Sequence, residues 1–186
     1  MKKLPRIISQ EEFEKIFQAE KNKKFRLAYL LGFEAGMRIG EVIGYKGKSR
    51  RKNKKTGEII EKDIEIPPLN KENIDLNAHF IRILGKGSKE RIVPLPKRFT
   101  QKAKDMLPLL LPRRTLQDAI RRVCKRVLGK NLSFHTLRHG FGSLLAEKGR
   151  PLHEIQMLMG HSRLDTTGIY LHANPKEAVE KAIEVF

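Results

Sequence analysis

His135, Arg138 and His139 stand at i, i+3 and i+4 in the stretch HTLRHG, a spacing that puts all three on one face of a helix. Polar and cationic groups crowded in this way gain nothing as core packing and make sense where the face meets an anion. LMGH at 158–161 adds the imidazole of His161, and TTGIYLH adds the phenol of Tyr170. A cationic cluster, imidazoles and a phenol brought together by two helix–turn connections are the equipment for attacking a phosphodiester through tyrosine.

Two further clusters lie upstream. In GMRIGEV at 36–42, Arg38 and Glu41 are three residues apart. Such a pair on a surface is an ion pair of little worth, but the flanking Ile39, Gly40, Val42 and Ile43 suggest a partly buried site. An arginine there offers a fork of donors that matches two phosphate oxygens, which lysine cannot imitate. In GKGSKERIVPL at 85–95, Lys86 and Lys89 occupy a glycine-rich hairpin tip, followed by Arg91. Glycines on both sides let the backbone approach a partner closely.

HTLRHGFGSLLAEKG followed by LMGHSRLDTTGIYLH resembles the C-terminal signature of the tyrosine recombinases, the phage-integrase and Xer family. GMRIGEV and GKGSKERIVPL resemble the family's other two boxes, and all four lie in the family's order. The resemblance covers roughly residues 5 to 185. It implies a mainly helical α+β fold with a small antiparallel sheet on one side, and an enzyme that cuts and rejoins DNA through a 3′-phosphotyrosine. Under it Tyr170 is the nucleophile, while Arg38 and Arg138 hold the non-bridging phosphate oxygens and His161 adds a donor. His135 takes the tyrosine proton as general base, Lys86 protonates the leaving 5′ oxygen, and Glu41 orients the site. It implies no metal and no cofactor. A type IB topoisomerase shares this constellation, and a non-catalytic DNA-binding module could share the fold. The wording of the boxes sits closer to the integrases, and the set of seven residues is intact.

Composition points the same way. The 186 residues hold 39 Lys and Arg against 21 Asp and Glu, a net charge of +18, which suits a polyanion partner, double-stranded DNA above all. Charge alone would equally fit a protein that binds RNA or ribosomes. The single cysteine, Cys124, excludes an internal disulfide and is compatible with a reducing cytoplasm. No apolar run approaches the length of a membrane span, and Met1-Lys2-Lys3 leads into Leu-Pro rather than into a signal-peptide core. The expectation is a cytoplasmic protein of prokaryotic or viral origin. His135 and His139 resemble half a metal site, but HTLRH lacks the glutamate of the metalloprotease helix and places Arg138 between the histidines.

The elements that must position these groups can be read in order. Ser9 with Glu12 has capping-box spacing ahead of Phe13, Ile16 and Phe17. A second helix runs from about Lys23 to Ala35, with Gly36 as its left-handed terminator. Residues 44–57 depart from the family as a basic insertion loop, in which Lys46, Lys48, Arg50, Arg51, Lys52, Lys54 and Lys55 are the cations. They suit a flexible arm that lies along phosphates. Strands are expected at 58–66, 73–76, 79–84 and 90–95, the last two as a hairpin. By resemblance Lys89 and Arg91 are backbone-phosphate contacts. A helix over about 115–128 is apolar at Leu116, Ile120, Val123 and Val127, and carries Arg121, Arg122, Lys125 and Arg126 on its other side. The resemblance places the region of Arg121, Arg122 and Lys125 against DNA. Asn174, Pro175 and Glu177 start a last helix over 174–186, which in the family packs on its own or a neighbouring subunit. The expected organisation is one catalytic domain over 1–186 without the separate N-terminal DNA-clamping domain. Monomers or dimers in solution would assemble as homo-tetramers on DNA.

Overall fold

The computed structural model describes residues 7–53, 56–84, 90–160 and 175–185. Helix α1 (Gln10–Ala19) begins at Ser9, whose hydroxyl accepts from the Glu12 amide at 3.2 Å while the Glu12 carboxylate accepts from the Ser9 amide. This reciprocal cap fixes where the helix starts and turns Phe13 and Ile16 inward. Helix α2 (Lys23–Glu34) is capped by Asn22, which accepts from the amides of Lys24 and Phe25.

The second half of α2 is buried on every side, from Leu27 to Glu34, because it runs through the middle of the domain. Close passage depends on small residues. A Cβ on Gly32 would stand 2.9 Å from the Phe134 ring, and one on Gly140 would stand 2.7 Å from the Phe33 ring. Gly36 ends the helical region with φ at +62°, as its position after α2 predicts.

Arg38 then caps the short helix α3 (Ile39–Ile43). Residues 44–57, expected as a loop, are instead largely a strand. β1 (Tyr45–Lys52) pairs antiparallel with β2 (Ile59–Ile66) along its whole length, from Tyr45 opposite Ile66 to Lys52 opposite Ile59. The cations of β1 do not need a core to settle in an extended form. Acids on β2 lie across from them, with Lys46 facing Glu65 and Arg50 facing Glu61, and opposite charges on facing strands favour pairing. The ribbon stays solvated, with Ile59 and Ile60 exposed.

A second sheet is separate from the ribbon, so the strands among the described residues form two sheets rather than one. A 3₁₀ turn at Lys71–Asn73 leads into β3 (Ile74–Asp75), followed by β4 (Phe80–Leu84) and β5 (Glu90–Pro94), all antiparallel in the order β3-β4-β5. Ile81 pairs with Val93, and both are buried with Ile83 on the inner face. Helix α4 (Gln101–Asp105) and helix α5 (Arg113–Leu128) follow. α5 buries Leu116, Ala119, Ile120, Val123 and Cys124, and Gly129 stops it in the left-handed conformation.

HTLRHG opens helix α6 (Phe134–Glu147), as its spacing predicts. After it come α7 (Leu152–Met159), which Gly160 ends with φ at +56°, and α8 (Pro175–Ile183). Phe141 and Leu145 of α6, Ile155, Leu158 and Met159 of α7, and Val179 and Ala182 of α8 form a second apolar cluster beside the main core. α8 thus packs on its own chain here. Among the described residues no helix is long and apolar enough to cross a membrane.

Candidate active site

Glu41 is almost wholly buried, with 2% of its side chain exposed. Burying a lone carboxylate is costly, and such a group persists only where donors surround it. Four reach it: the Arg38 amide at 2.7 Å, Arg38 Nη1 at 2.9 Å, and Arg91 Nη1 and Nη2 at 2.8 and 2.9 Å. Burial alone would raise the Glu41 carboxyl. The hydrogen bonds and charge of Arg91, with those of Arg38, outweigh it and hold the group down at about 2. Glu41 is therefore a fixed anion that aims two guanidinium groups. Arg38 keeps 40% of its side chain exposed, so it faces outward while anchored at its inner edge.

Arg138 is the largest fully buried side chain of the described residues, at 1% exposure. Its Nη1 donates to the Gly36 carbonyl and its Nη2 to the Met159 carbonyl. It lies on the inward side of α6, so the spacing of HTLRH does not leave it on an open face. Burial, then the charges of Arg38 and Arg91, lower its pKa to about 9, while Glu41 opposes them. It remains a cation at neutral pH. His135 is exposed and His139 half-buried, with ring centroids 4.4 Å apart in an edge-to-face arrangement. Burial, then the Arg138 charge, lowers the His139 pKa.

The end of α7 joins these parts. Its last carbonyls carry the negative end of the helix dipole and have no acceptor role left within the helix. Leu158 accepts from Arg91 Nε at 3.0 Å, Met159 from Arg138, and Gly160 from Arg38 Nη2 at 3.0 Å. Three successive carbonyls thus bind three different arginines, drawn from β5, α6 and the start of α3. The sequence motifs identify Arg38, Glu41 and Arg138 but not the backbone acceptors that hold them.

Arg91 corrects an expectation. A phosphate contact was predicted for it, but only 11% of its side chain is exposed and its donors are turned onto Glu41 and Leu158. The burial of Glu41, which calls for more positive charge than one neighbouring arginine supplies, is visible only in the fold.

The other expected DNA contacts divide. Lys46 pairs with Glu65 at 2.7 Å, and Lys48 and Arg50 both reach Glu61. Arg51 and Lys52 continue β1. Arg121, Arg122 and Lys125 are exposed on the outer side of α5, with Arg121 3.4 Å from Asp118. Tyr170, His161, Lys86, Lys54, Lys55 and Lys89 lie outside the described residues.

A mainly helical α+β domain thus gathers Arg38 and Arg91 on one buried carboxylate, with Arg38 left partly exposed. The model of the Phage integrase family matches residues 110–177. Tyrosine recombinase XerC of Pseudomonas fluorescens (strain Pf0-1) is 35% identical over 126 residues, covering 58% of this chain and 42% of the relative. The integrase from mycobacterium phage Brujita shares the fold with a TM-score of 0.73 at 23% identity, over 100% of this chain and 60% of that one. The XerH site-specific recombinase, solved bound to its difH substrate in a pre-cleavage complex, has a TM-score of 0.62 at 25% identity, over 97% of this chain and 55% of that one. The chain has the fold of the tyrosine recombinase catalytic domain, and its residues 110–177 match the Phage integrase family. It spans about half the length of the relatives it matches.

Proposed function

We propose that this chain is the DNA-breaking and rejoining domain of a site-specific recombinase or integrase. The observation that carries this reading is the half-exposed Arg38, anchored on buried Glu41 and coupled through the end of α7 to Arg138. Arg38 presents a pre-aimed guanidinium at the surface, and such a donor stabilises charge that develops on a phosphate in the transition state.

In this reading the Tyr170 hydroxyl attacks the scissile phosphorus and its proton passes to His135. The bond from phosphorus to the 5′ oxygen breaks, and Lys86 gives that oxygen a proton. Protein and DNA are left joined as a 3′-phosphotyrosine beside a free 5′ hydroxyl. A phenol has a pKa of about 10, so the site must activate it. His161 adds a donor to the non-bridging oxygens. The phosphotyrosine keeps the energy of the broken bond, so rejoining consumes no ATP. Resealing to a second duplex is recombination, which by family analogy uses four subunits on two duplexes. The site of action is the cytoplasm, on double-stranded DNA.

The test uses a pool of nicked duplexes of randomised sequence, in which the short 5′-hydroxyl fragment diffuses away after cleavage. The expected result is a protein–DNA adduct that survives denaturation. Binding of the pool without any such adduct would reduce the chain to a DNA-binding module.

A further inference from the structure

We propose that Arg91 is a positioning residue of the cleavage site: one side chain that registers three separate catalytic pieces without touching DNA. The role rests on the proposed reaction. Arg91 belongs to β5, which pairs with β4 and in sequence follows Lys86 by five residues. Its two Nη groups hold both oxygens of Glu41, the residue that aims Arg38, at 2.8 and 2.9 Å. Its Nε holds the Leu158 carbonyl at 3.0 Å, at the end of α7 from which the chain continues to His161 and Tyr170. Hairpin, α3 and α7 therefore share one planar group. A planar guanidinium can serve a carboxylate with two parallel bonds and a third acceptor with Nε at the same time, and an ammonium cannot.

Gly160 supports this independently. A Cβ there would stand 3.0 Å from Arg91 Cδ, 3.1 Å from Nε and 3.2 Å from Cζ. The residue that ends α7 has no side chain on the side where the guanidinium lies. The φ of +56° explains why glycine suits the position, and the tight fit leaves Arg91 room against Gly160.

Arg91→Lys is the test, with single-turnover cleavage of nicked duplex at saturating protein and DNA affinity measured across a salt series. The expected result is wild-type affinity and salt slope with cleavage slowed about a hundredfold, the loss that a misplacement of about 1 Å produces. A phosphate contact would behave oppositely: the neutral variant Arg91→Gln would lower the slope of log affinity against log salt by about 0.9 and leave the saturated rate unchanged, and that result would overturn the proposal. So would a variant that binds and cuts like the wild type. A variant that fails to fold is bypassed by nitrogen-15 spectra of the arginine Nε–H groups in the wild-type chain. The Arg91 signal is expected to stay protected from exchange and unmoved when DNA is added, and loss of protection with a shift on DNA binding would overturn the proposal. A wild type that cuts no duplex overturns the proposed reaction and this role together, whereas a wild type that cuts beside an equally fast Arg91→Lys overturns this role alone.

Discussion

Arg38 Nη2 lies 3.0 Å from the carbonyl of Gly160, a residue 122 positions further along the chain. The first box of the sequence and the end of α7 thus meet directly through this hydrogen bond. A left-handed turn at Gly160 is what aims that carbonyl at the guanidinium.

Gly160→Ala is expected to weaken both fold and site. The left-handed conformation costs an alanine about 1 kcal/mol, and the new methyl group presses on Arg91. For a chain of this size each kcal/mol lowers the melting temperature by about 2–4 °C. Thermal unfolding with a drop of at least that size, and slower single-turnover cleavage, is the expected pair of results. A variant as stable and as fast as the wild type would show that the turn tolerates a side chain.

Arg38 and Arg138 are expected to separate under substitution. Arg38→Lys should leave folding and DNA affinity near wild type and raise the cleavage barrier by about 2.7–4 kcal/mol, the effect of removing one well-placed donor. Arg138→Ala should in addition lower stability in urea. It strips the partner from the carbonyls of Gly36 and Met159, and each buried polar group left unpaired costs about 1–3 kcal/mol. Equal stability of Arg38→Ala and Arg138→Ala would contradict the buried, structural share of the Arg138 role.

The acid side of the stability profile tests Glu41. Its folded pKa is depressed to about 2, so its contribution is fully present above the unfolded carboxylate value. The contribution is lost as pH falls through the folded one. The shift from 4.5 to about 2 corresponds to something on the order of 3 kcal/mol. The stability gap between wild type and Glu41→Gln is expected to be constant from pH 7 to about 5 and to narrow towards pH 2. A gap that does not change with pH would mean that Glu41 acts through packing alone.

What was legible in the sequence followed periodicity and local spacing. The Ser9 cap, the Gly36 turn, the amphipathic α5 and the HTLRHG helix all depend on residues within a turn or two of each other. Arg38, Glu41 and Arg138 stood out because their types match the family boxes. The misread parts depend on distant partners. β1 is a strand because acids on β2 lie opposite its cations, and its own composition gives no hint of that. Arg91 is one alternation away from facing solvent, and only the fold shows that it turns towards Glu41. Backbone carbonyls carry no sequence signature, so the role of the end of α7 was invisible.

The basic ribbon is expected to act on affinity and not on rate. Lys46, Lys48 and Arg50 are already paired with Glu65 and Glu61, and exposed pairs of this kind are weak enough for a phosphate to replace the carboxylate. Changing all three to Gln should lower the salt slope by at most about 0.9 for each phosphate engaged. Cleavage at saturating protein should hold. An unchanged slope with a collapsed rate would make the ribbon part of the active site.

The central claim stands or falls with the residue that carries the DNA. Adduct trapped on nicked duplex in the presence of EDTA, then digested with protease and nuclease, should yield a tryptic peptide with a nucleotide on Tyr170, and Tyr170→Phe should bind DNA yet give no adduct. A nucleotide on Tyr29 or Tyr45, or adduct formation that persists in Tyr170→Phe, would contradict the account.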